Sequence, residues 1–296
     1  ASIGQVHRIR APDGRPAVLK IQYPGVADSI ESDVDNIASL LRVSGLLPRH
    51  LDVEPLLADV RVQLREEADY LREAKFLQRF RDALAEDTRF VLPEVLPDLT
   101  RRTVLAMTYV AGEPIETLAL QPAAERDRVM TALLELLLTE LFSLRLVQTD
   151  PNFANYRYRD SDGAIVLLDF GATRRFRAGF VRDYGKLAVA EDREGLARAA
   201  QRVGYAMGDP GSQYRELVLD MLLLALEPLR HPGAYDFGAS DMPARLMELG
   251  QSVTGFRDFW QAPPTDAIYF HRKLGGLFML AHVDVGALMA RHTDTA

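Results

Sequence analysis

The stretch Gln148-Thr149-Asp150-Pro151-Asn152-Phe153-Ala154-Asn155, with Leu167-Leu168-Asp169-Phe170-Gly171 after it, decides how this chain is read. Asp150 and Asn155 are five residues apart, and Asp169 follows Asn155 by 14. Between them the β-prone runs Tyr156 to Arg159 and Ala164 to Leu168 flank Asp160-Ser161-Asp162-Gly163, a turn-rich cluster. A hairpin here sets Asn155 beside Asp169 at its open end. An amide oxygen and a carboxylate brought together in this way make a hard-oxygen site suited to Mg²⁺, with water and nucleotide phosphates in the remaining positions. Asp150, just upstream, then faces an acceptor as base or orienting group.

Asp-x4-Asn alone is a weak signal and Asp-Phe-Gly alone a moderate one; in this order on a hairpin they are strong. The bland alternative makes each a turn, and it has to account for three coincidences at once. The loop lacks the His before the Asp and the Lys after it that ordinary protein kinases carry.

Lys20 supplies a positive charge at the end of the β-prone run Ala17 to Ile21, which pairs as a hairpin with Val6 to Arg10 across Ala11-Pro12-Asp13-Gly14. Such a Lys, aimed at nucleotide phosphates, needs a carboxylate on a helix to hold it. The helical pattern Val53 to Ala85 contains Arg65-Glu66-Glu67-Ala68-Asp69-Tyr70-Leu71-Arg72-Glu73, and Asp69 and Glu73 share a face. Glu73 is the expected partner of Lys20. Met107 to Val110 precedes the linker Ala111-Gly112-Glu113-Pro114, where the adenine of a nucleotide would meet backbone donors and acceptors between two lobes.

With 296 residues, 48% of them hydrophobic, the chain has material for two lobes around a cleft. The first part is mixed: a helix Val26 to Val43, the long helix Val53 to Ala85, and paired strands over Pro93 to Val110. From Ala111 onward helices dominate, at Ala124 to Val147, Ala178 to Val203, Ser212 to Leu226, Met242 to Ser252 and Asp266 to Met289, with an irregular loop over Pro232 to Pro243. The predicted class is α+β, with a small mixed lobe at 1–110 and a larger helical lobe at 111–296.

The chain has no Cys, so disulfides and thiolate zinc sites are excluded. Its six His show no metal-ligand spacing, and a formal net charge of −7 argues against broad nucleic-acid binding. The longest unbroken apolar stretch, Met221 to Leu226, is far short of a membrane span. Apolar stripes on the helices after Ala178 are more often core than lipid-facing. The opening Ala1-Ser2-Ile3-Gly4-Gln5-Val6-His7 reads as the inside of a domain, so the chain is expected to be a fragment.

Six ordered motifs, "ASIGQVH", "KIQYPGV", "EEADYLREAKF", "QTDPNFAN", "LLDFGATR" and "FHRKLGGLF", run from Ala1 to Phe278. In these the chain resembles the aarF/UbiB atypical kinases, in particular the coenzyme Q biosynthesis branch that includes the mitochondrial ADCK proteins. The resemblance implies a protein-kinase-like bilobal fold in which an Ala-rich loop, here Ala1, Ser2, Gly4 and Val6 among its residues, covers the nucleotide. It also implies Lys20 on the phosphates, Glu73 as its helix partner, Asp150 as catalytic Asp, Asn155 and Asp169 as metal ligands, and Met107, Thr108, Tyr109 and Val110 as gatekeeper and hinge. Glu67 and Asp69 match a Glu-x-Asp motif; the family's upstream Lys-x-Gly-Gln motif is absent from this sequence. Gln148 and Asn152 follow the loop pattern of the coenzyme Q branch.

The implied activity is an ATP- and Mg²⁺-dependent atypical kinase or ATPase supporting ubiquinone biosynthesis, with isoprenoid quinone precursors and a quinone-biosynthesis complex as partners. The implied place is the cytoplasm with peripheral contact to the inner membrane, or the matrix side of a mitochondrion. Two alternatives stay open: a nucleotide-sensing scaffold with little turnover, and a small-molecule phosphotransferase of the aminoglycoside or choline type. "ASIGQVH" and "EEADYLREAKF" weigh against the latter.

Overall fold

The computed structural model describes residues 3–44, 54–232, 235–253 and 263–282. Strands β1 (Gly4–Arg10) and β2 (Pro16–Gln22) form the expected hairpin, with Val6 opposite Lys20. Gly14 turns it at φ 84°, a left-handed conformation that glycine adopts without penalty. Helices α1 (Val26–Ser44), α2 (Glu54–Glu67) and α3 (Tyr70–Ala83) follow. Ile30, Val34 and Ala38 recur every fourth residue on α1 and pack with Leu57 and Ala68 into a small separate core.

The single long helix expected over Val53 to Ala85 is two helices. Asp69 breaks it by leaving the helical region (φ −106°, ψ 93°) and accepting hydrogen bonds from the N–H groups of Leu71 and Arg72. An aspartate that caps two free amides at a helix start stabilises the second helix by about 1 kcal/mol. On α3 the buried face is Tyr70, Glu73, Ala74, Leu77 and Phe80. Glu73 is the one charge in that otherwise apolar or aromatic stripe.

The paired strands expected over Pro93 to Val110 reduce to two isolated bridges, Val95 to Met107 and Arg101 to Val104. Instead β3 (Phe90–Val91) runs parallel to a later strand, and β4 (Val104–Thr108) adds to β2, placing Leu105 opposite Lys20. The resulting sheet has the order β1-β2-β4. Because cross-strand partners share a face and side chains alternate, Gly4, Val6, Lys20, Leu105 and Met107 lie on one side of it.

After β5 (Glu113–Pro114) comes α4 (Ala123–Leu138), which was expected to continue to Val147. It widens into a π turn over Thr139–Leu144, and Arg145, the non-glycine residue with positive φ (53°) among those described, redirects the chain into β6 (Leu146–Gln148). Strands β7 (Tyr156–Arg159) and β8 (Ala164–Leu167) are the predicted hairpin, with Tyr156 opposite Leu167. The second sheet has the order β3-β8-β7-β5, and β6 pairs with β9 (Thr173–Arg175). The helix expected over Ala178 to Val203 is also split, into α5 (Ala178–Ala188) and α6 (Arg193–Val203), where Asp192 caps the Gly195 N–H.

Helices α7 (Gln213–Ala225), α8 (Glu227–Arg230), α9 (Met242–Val253) and α10 (Thr265–His282) complete the described chain. Helix α9 begins inside the segment expected as a loop, and the expected extension of the last helix to Met289 lies outside the described residues. A main core runs from Tyr70 on α3 to Phe278 on α10, and within it the Phe80 and Phe170 rings meet at 4.8 Å.

Candidate functional site

Three elements distant in sequence meet at Lys20. Its Nζ donates to both Glu73 oxygens at 3.0 Å and to Asp169 Oδ2 at 2.8 Å. Glu73 is 1% exposed, so its charge is out of water and depends on Lys20 for compensation. Burial opposes charge on Lys20, but the Glu73 and Asp169 carboxylates overcome it and hold the ammonium above its ordinary value. Burial, with the Asp169 charge beside it, lifts the Glu73 carboxyl to about 7 against the pull of Lys20. A Cβ at position 171 would press on Asp169 Oδ1 and Glu73 Oε2, each at 3.3 Å, so glycine leaves both carboxylates undisturbed.

The hairpin delivers the second group of residues. The Leu168 N–H donates to the Asn155 carbonyl at 3.0 Å, which closes the open end of β7–β8 and sets Asp169 next to Asn155. Asn155 Nδ2 donates to Asp150 Oδ2 at 2.8 Å. Asn152 accepts from the Ala154 N–H and so caps the short 3₁₀ turn that carries Asn155. Thr149 Oγ1 donates to the Ala172 carbonyl at 2.8 Å, tying the loop to the chain after Asp169.

The donor set fits a hard divalent cation. With its amide nitrogen committed to Asp150, Asn155 keeps its Oδ1 unused among the described residues. Asp169 Oδ2 already accepts a cation, the Lys20 ammonium, at 2.8 Å. Among the described residues no three His, Asp or Glu cluster as a metal cage. Mg²⁺ is commonly bound through one or two protein groups plus phosphates, so an amide oxygen and a carboxylate are chemically sufficient as a protein share.

Of the nucleotide-contacting residues expected, Gly4, Val6 and Met107 share the Lys20 face of the sheet. Val6 is well exposed there, whereas a Cβ on Gly4 would strike the Ile21 carbonyl at 2.3 Å. The Thr108 N–H is taken by the Glu94 carbonyl and the Tyr109 N–H by that of Pro16, while the Val110 N–H is unpaired among the described residues. Ala1 and Ser2 lie outside the described residues. Glu67 and Asp69 divide their work: Asp69 caps α3, whereas Glu67 lies near Asp169, Asp150 and Arg272. Burial and the two aspartates raise its carboxyl pKa.

Helix α10 brings residues that the sequence placed in a motif without giving them a role. Arg272 Nη2 lies 3.3 Å from Asp150 Oδ1, a cation from α10 beside a loop that has no Lys of its own. Lys273, 3% exposed, donates to Gln148 Oε1 at 2.9 Å and to the Tyr156 hydroxyl. Gly276 lies against Pro151, whose Cβ would be 2.1 Å from a side-chain carbon at that position. The signal available in the sequence was the pair of charges followed by two glycines inside an apolar helix, Arg272-Lys273-Leu274-Gly275-Gly276.

These features define a kinase-like chain: a three-stranded sheet carrying a buried Lys–Glu pair above a loop with Asp, Asn and a second Asp. The structure of Rv3197 with erythromycin, from Mycobacterium tuberculosis, has the same fold, with a TM-score of 0.69 and 23% identity over 95% of this chain and 71% of that one. A family model described as the ABC1 atypical kinase-like domain matches residues 1–200, and the chain belongs to that family. The mitochondrial atypical kinase COQ8 of Saccharomyces cerevisiae is 35% identical over 283 residues, covering 95% of this chain and 56% of its own length. The mitochondrial atypical kinase COQ8B of Rattus norvegicus is 37% identical over 282 residues, covering 94% and 53% respectively. The chain thus spans about half the length of the curated relatives it matches.

Proposed function

We propose that this chain is the nucleotide-handling part of an ATP- and Mg²⁺-dependent atypical kinase or ATPase that supports ubiquinone, or related isoprenoid quinone, biosynthesis. The observation that carries the reading is the Lys20–Glu73–Asp169 network with Asn155 and Asp150 at its edge. Lys20 holds the nucleotide phosphates, Glu73 fixes Lys20, and Gly4, Val6 and residues Met107 to Val110 line the nucleotide. Asn155 and Asp169 are the metal-holding pair; when bound, Mg²⁺ neutralises charge developing on the transferred phosphoryl group. Asp150, held by Asn155 on one oxygen and Arg272 on the other, orients the acceptor. Residues 1–110 form the small lobe and residues 111–296 the large one.

Peripheral contact with a membrane and with a quinone-biosynthesis complex belongs to the same proposal; among the described residues no helix is long and apolar enough to cross a bilayer. The test is Mg²⁺-dependent ATP binding and turnover in the intact protein and in Asp169→Asn. The variant is expected to lose turnover by a factor of about 10² or more, in line with removing a preorganised electrostatic group. Equal binding and turnover in the two proteins would sink the metal assignment.

One observation favours a second reading, a nucleotide-sensing scaffold with little turnover: both Asp150 oxygens are already engaged, by Asn155 and Arg272. Turnover measured with membranes present separates the two, since a scaffold binds ATP without hydrolysing it under any of these conditions.

A further inference from the structure

We infer that the cavity lined mainly by α7, α9 and α10 is a binding site for an uncharged, mostly hydrocarbon molecule with a hydroxyl at one end, the hydroxyl pairing with His271. The cavity holds about 290 Å³, near the lower end of small-ligand sites, about 300 Å³. Its walls include Val218 and Leu222 of α7, Met242 and Leu246 of α9, and Leu274 and Phe278 of α10, and among the described residues no Asp, Glu, Lys or Arg lines it. A charged ligand would therefore be stripped of water with no partner in return.

Three polar side chains, His271, Tyr205 and Tyr214, also line the cavity, and His271 is the one that pairs with the hydroxyl. Its Nε2 is paired with the Tyr184 hydroxyl at 2.9 Å, and its other ring nitrogen makes no hydrogen bond among the described residues. Burial pushes the imidazole down to about 4, so it is neutral near pH 7 and offers one donor or one acceptor according to tautomer. A hydroxyl is both, and pairs with either. The Tyr205 ring stacks on His271 at 6.4 Å, and its enclosed hydroxyl also lacks a partner. This wall has more hydrogen-bonding capacity than the chain itself uses, which is uncommon for buried groups.

Gly275 is the second independent sign. A glycine inside a helix costs about 1 kcal/mol relative to Ala, and packing normally accounts for it, as Pro151 does for the neighbouring Gly276. At Gly275 an added Cβ would meet nothing within 4 Å. The space over it is part of the cavity, on the face of α10 that also presents His271, Leu274 and Phe278. The site does not depend on nucleotide chemistry at Asp169.

The probes are 5-phenyl-1-pentanol, the hydrocarbon pentylbenzene, and 5-phenylpentanoate, titrated into the full-length protein by ligand-detected NMR. The alcohol is expected to bind about fivefold tighter than the hydrocarbon, the worth of one ordinary hydrogen bond, and at least about tenfold tighter than the carboxylate. His271→Phe should remove the difference between alcohol and hydrocarbon. Gly275→Leu, and Val218→Phe from the opposite wall, should each abolish binding by filling the space. In the unmodified protein, NOEs from the bound alcohol to the Met242 methyl group are expected, and they do not require any variant to fold. Absence of alcohol binding, absence of those NOEs, or binding undiminished in a folded cavity-filling variant overturns the site; equal binding of alcohol and carboxylate overturns its chemistry.

Discussion

Replacing Lys20 with Met tests the central network through stability as well as activity. The variant keeps the methylene volume and removes the cation, leaving Glu73, 1% exposed, beside Asp169 with no counter-charge. Breaking a buried pair in this way costs about 3–5 kcal/mol if the remaining charge stays. Glu73 can escape by taking a proton, and its carboxyl is already lifted to about 7 with Lys20 present. Without the pull of Lys20 it rises further. Between the ordinary carboxylate value and the folded one, the folded state binds the extra proton, so stability falls as pH rises through that window. The native protein stops paying this at about pH 7, whereas Lys20→Met continues. The deficit of the variant should therefore be nearly constant below pH 7 and grow by about 1.4 kcal/mol per pH unit above it. Urea unfolding of both proteins from pH 6 to pH 9 measures this directly. The double variant Lys20→Met/Glu73→Gln should show no such growth and be more stable than Lys20→Met at pH 8. A deficit independent of pH, or a double variant no better than the single one, refutes the reasoning.

Neighbouring glycines on α10 should behave oppositely: Gly276→Ala drives a methyl into Pro151 and is expected to cost about 1–3 kcal/mol and slow ATP turnover, whereas Gly275→Ala should be neutral or stabilise by up to about 1 kcal/mol. Denaturant midpoints with matched turnover rates compare the pair. Arg145, at φ 53°, should tolerate Gly, while Arg145→Val should lose about 1–2 kcal/mol, read as a drop in Tm. His271, with its pKa depressed to about 4, contributes stability that is present above its unfolded value and lost as pH falls through 6.5 to 4, on the order of 3 kcal/mol. His271→Gln should flatten the acid side of the Tm-versus-pH curve. Glu140, buried and lifted from 4.5 to about 7, acts with the opposite sign, and Glu140→Gln should remove a stability contribution that is full below about pH 4.5 and lost as pH rises from there to about 7.

What could be read in advance follows from range. The β7–β8 hairpin is local, so its turn cluster and flanking runs were enough to bring Asn155 to Asp169. Glu73 was reachable because a helix repeats every 3.6 residues and a phosphate-binding Lys needs a carboxylate within reach. The breaks were harder. At Asp69 and Asp192 the apolar periodicity continues on both sides of a capping aspartate, and inside a charge-rich run one cap looks like any other acid. At Arg145 the chain turns left-handed without the Gly or Asn that usually announces it. Arg272 and Lys273 stood out as charges inside an apolar helix, but their partners Asp150 and Gln148 were beyond reach, because they lie more than a hundred positions earlier and spacing along a chain says nothing about contacts at that distance.

The contacts of α10 also change what counts as the working unit. The family model's match ends at residue 200, after every residue of the Lys20–Glu73–Asp169 network and before the helix at Thr265–His282 that holds Asp150, Gln148 and Pro151. A fragment cut at that boundary would retain five of the six motifs and still present a loop with an unanchored Gln148, an aspartate stripped of its arginine, and nothing behind Pro151. The match to the family model stops at one place along this polypeptide, and mechanical completeness at another.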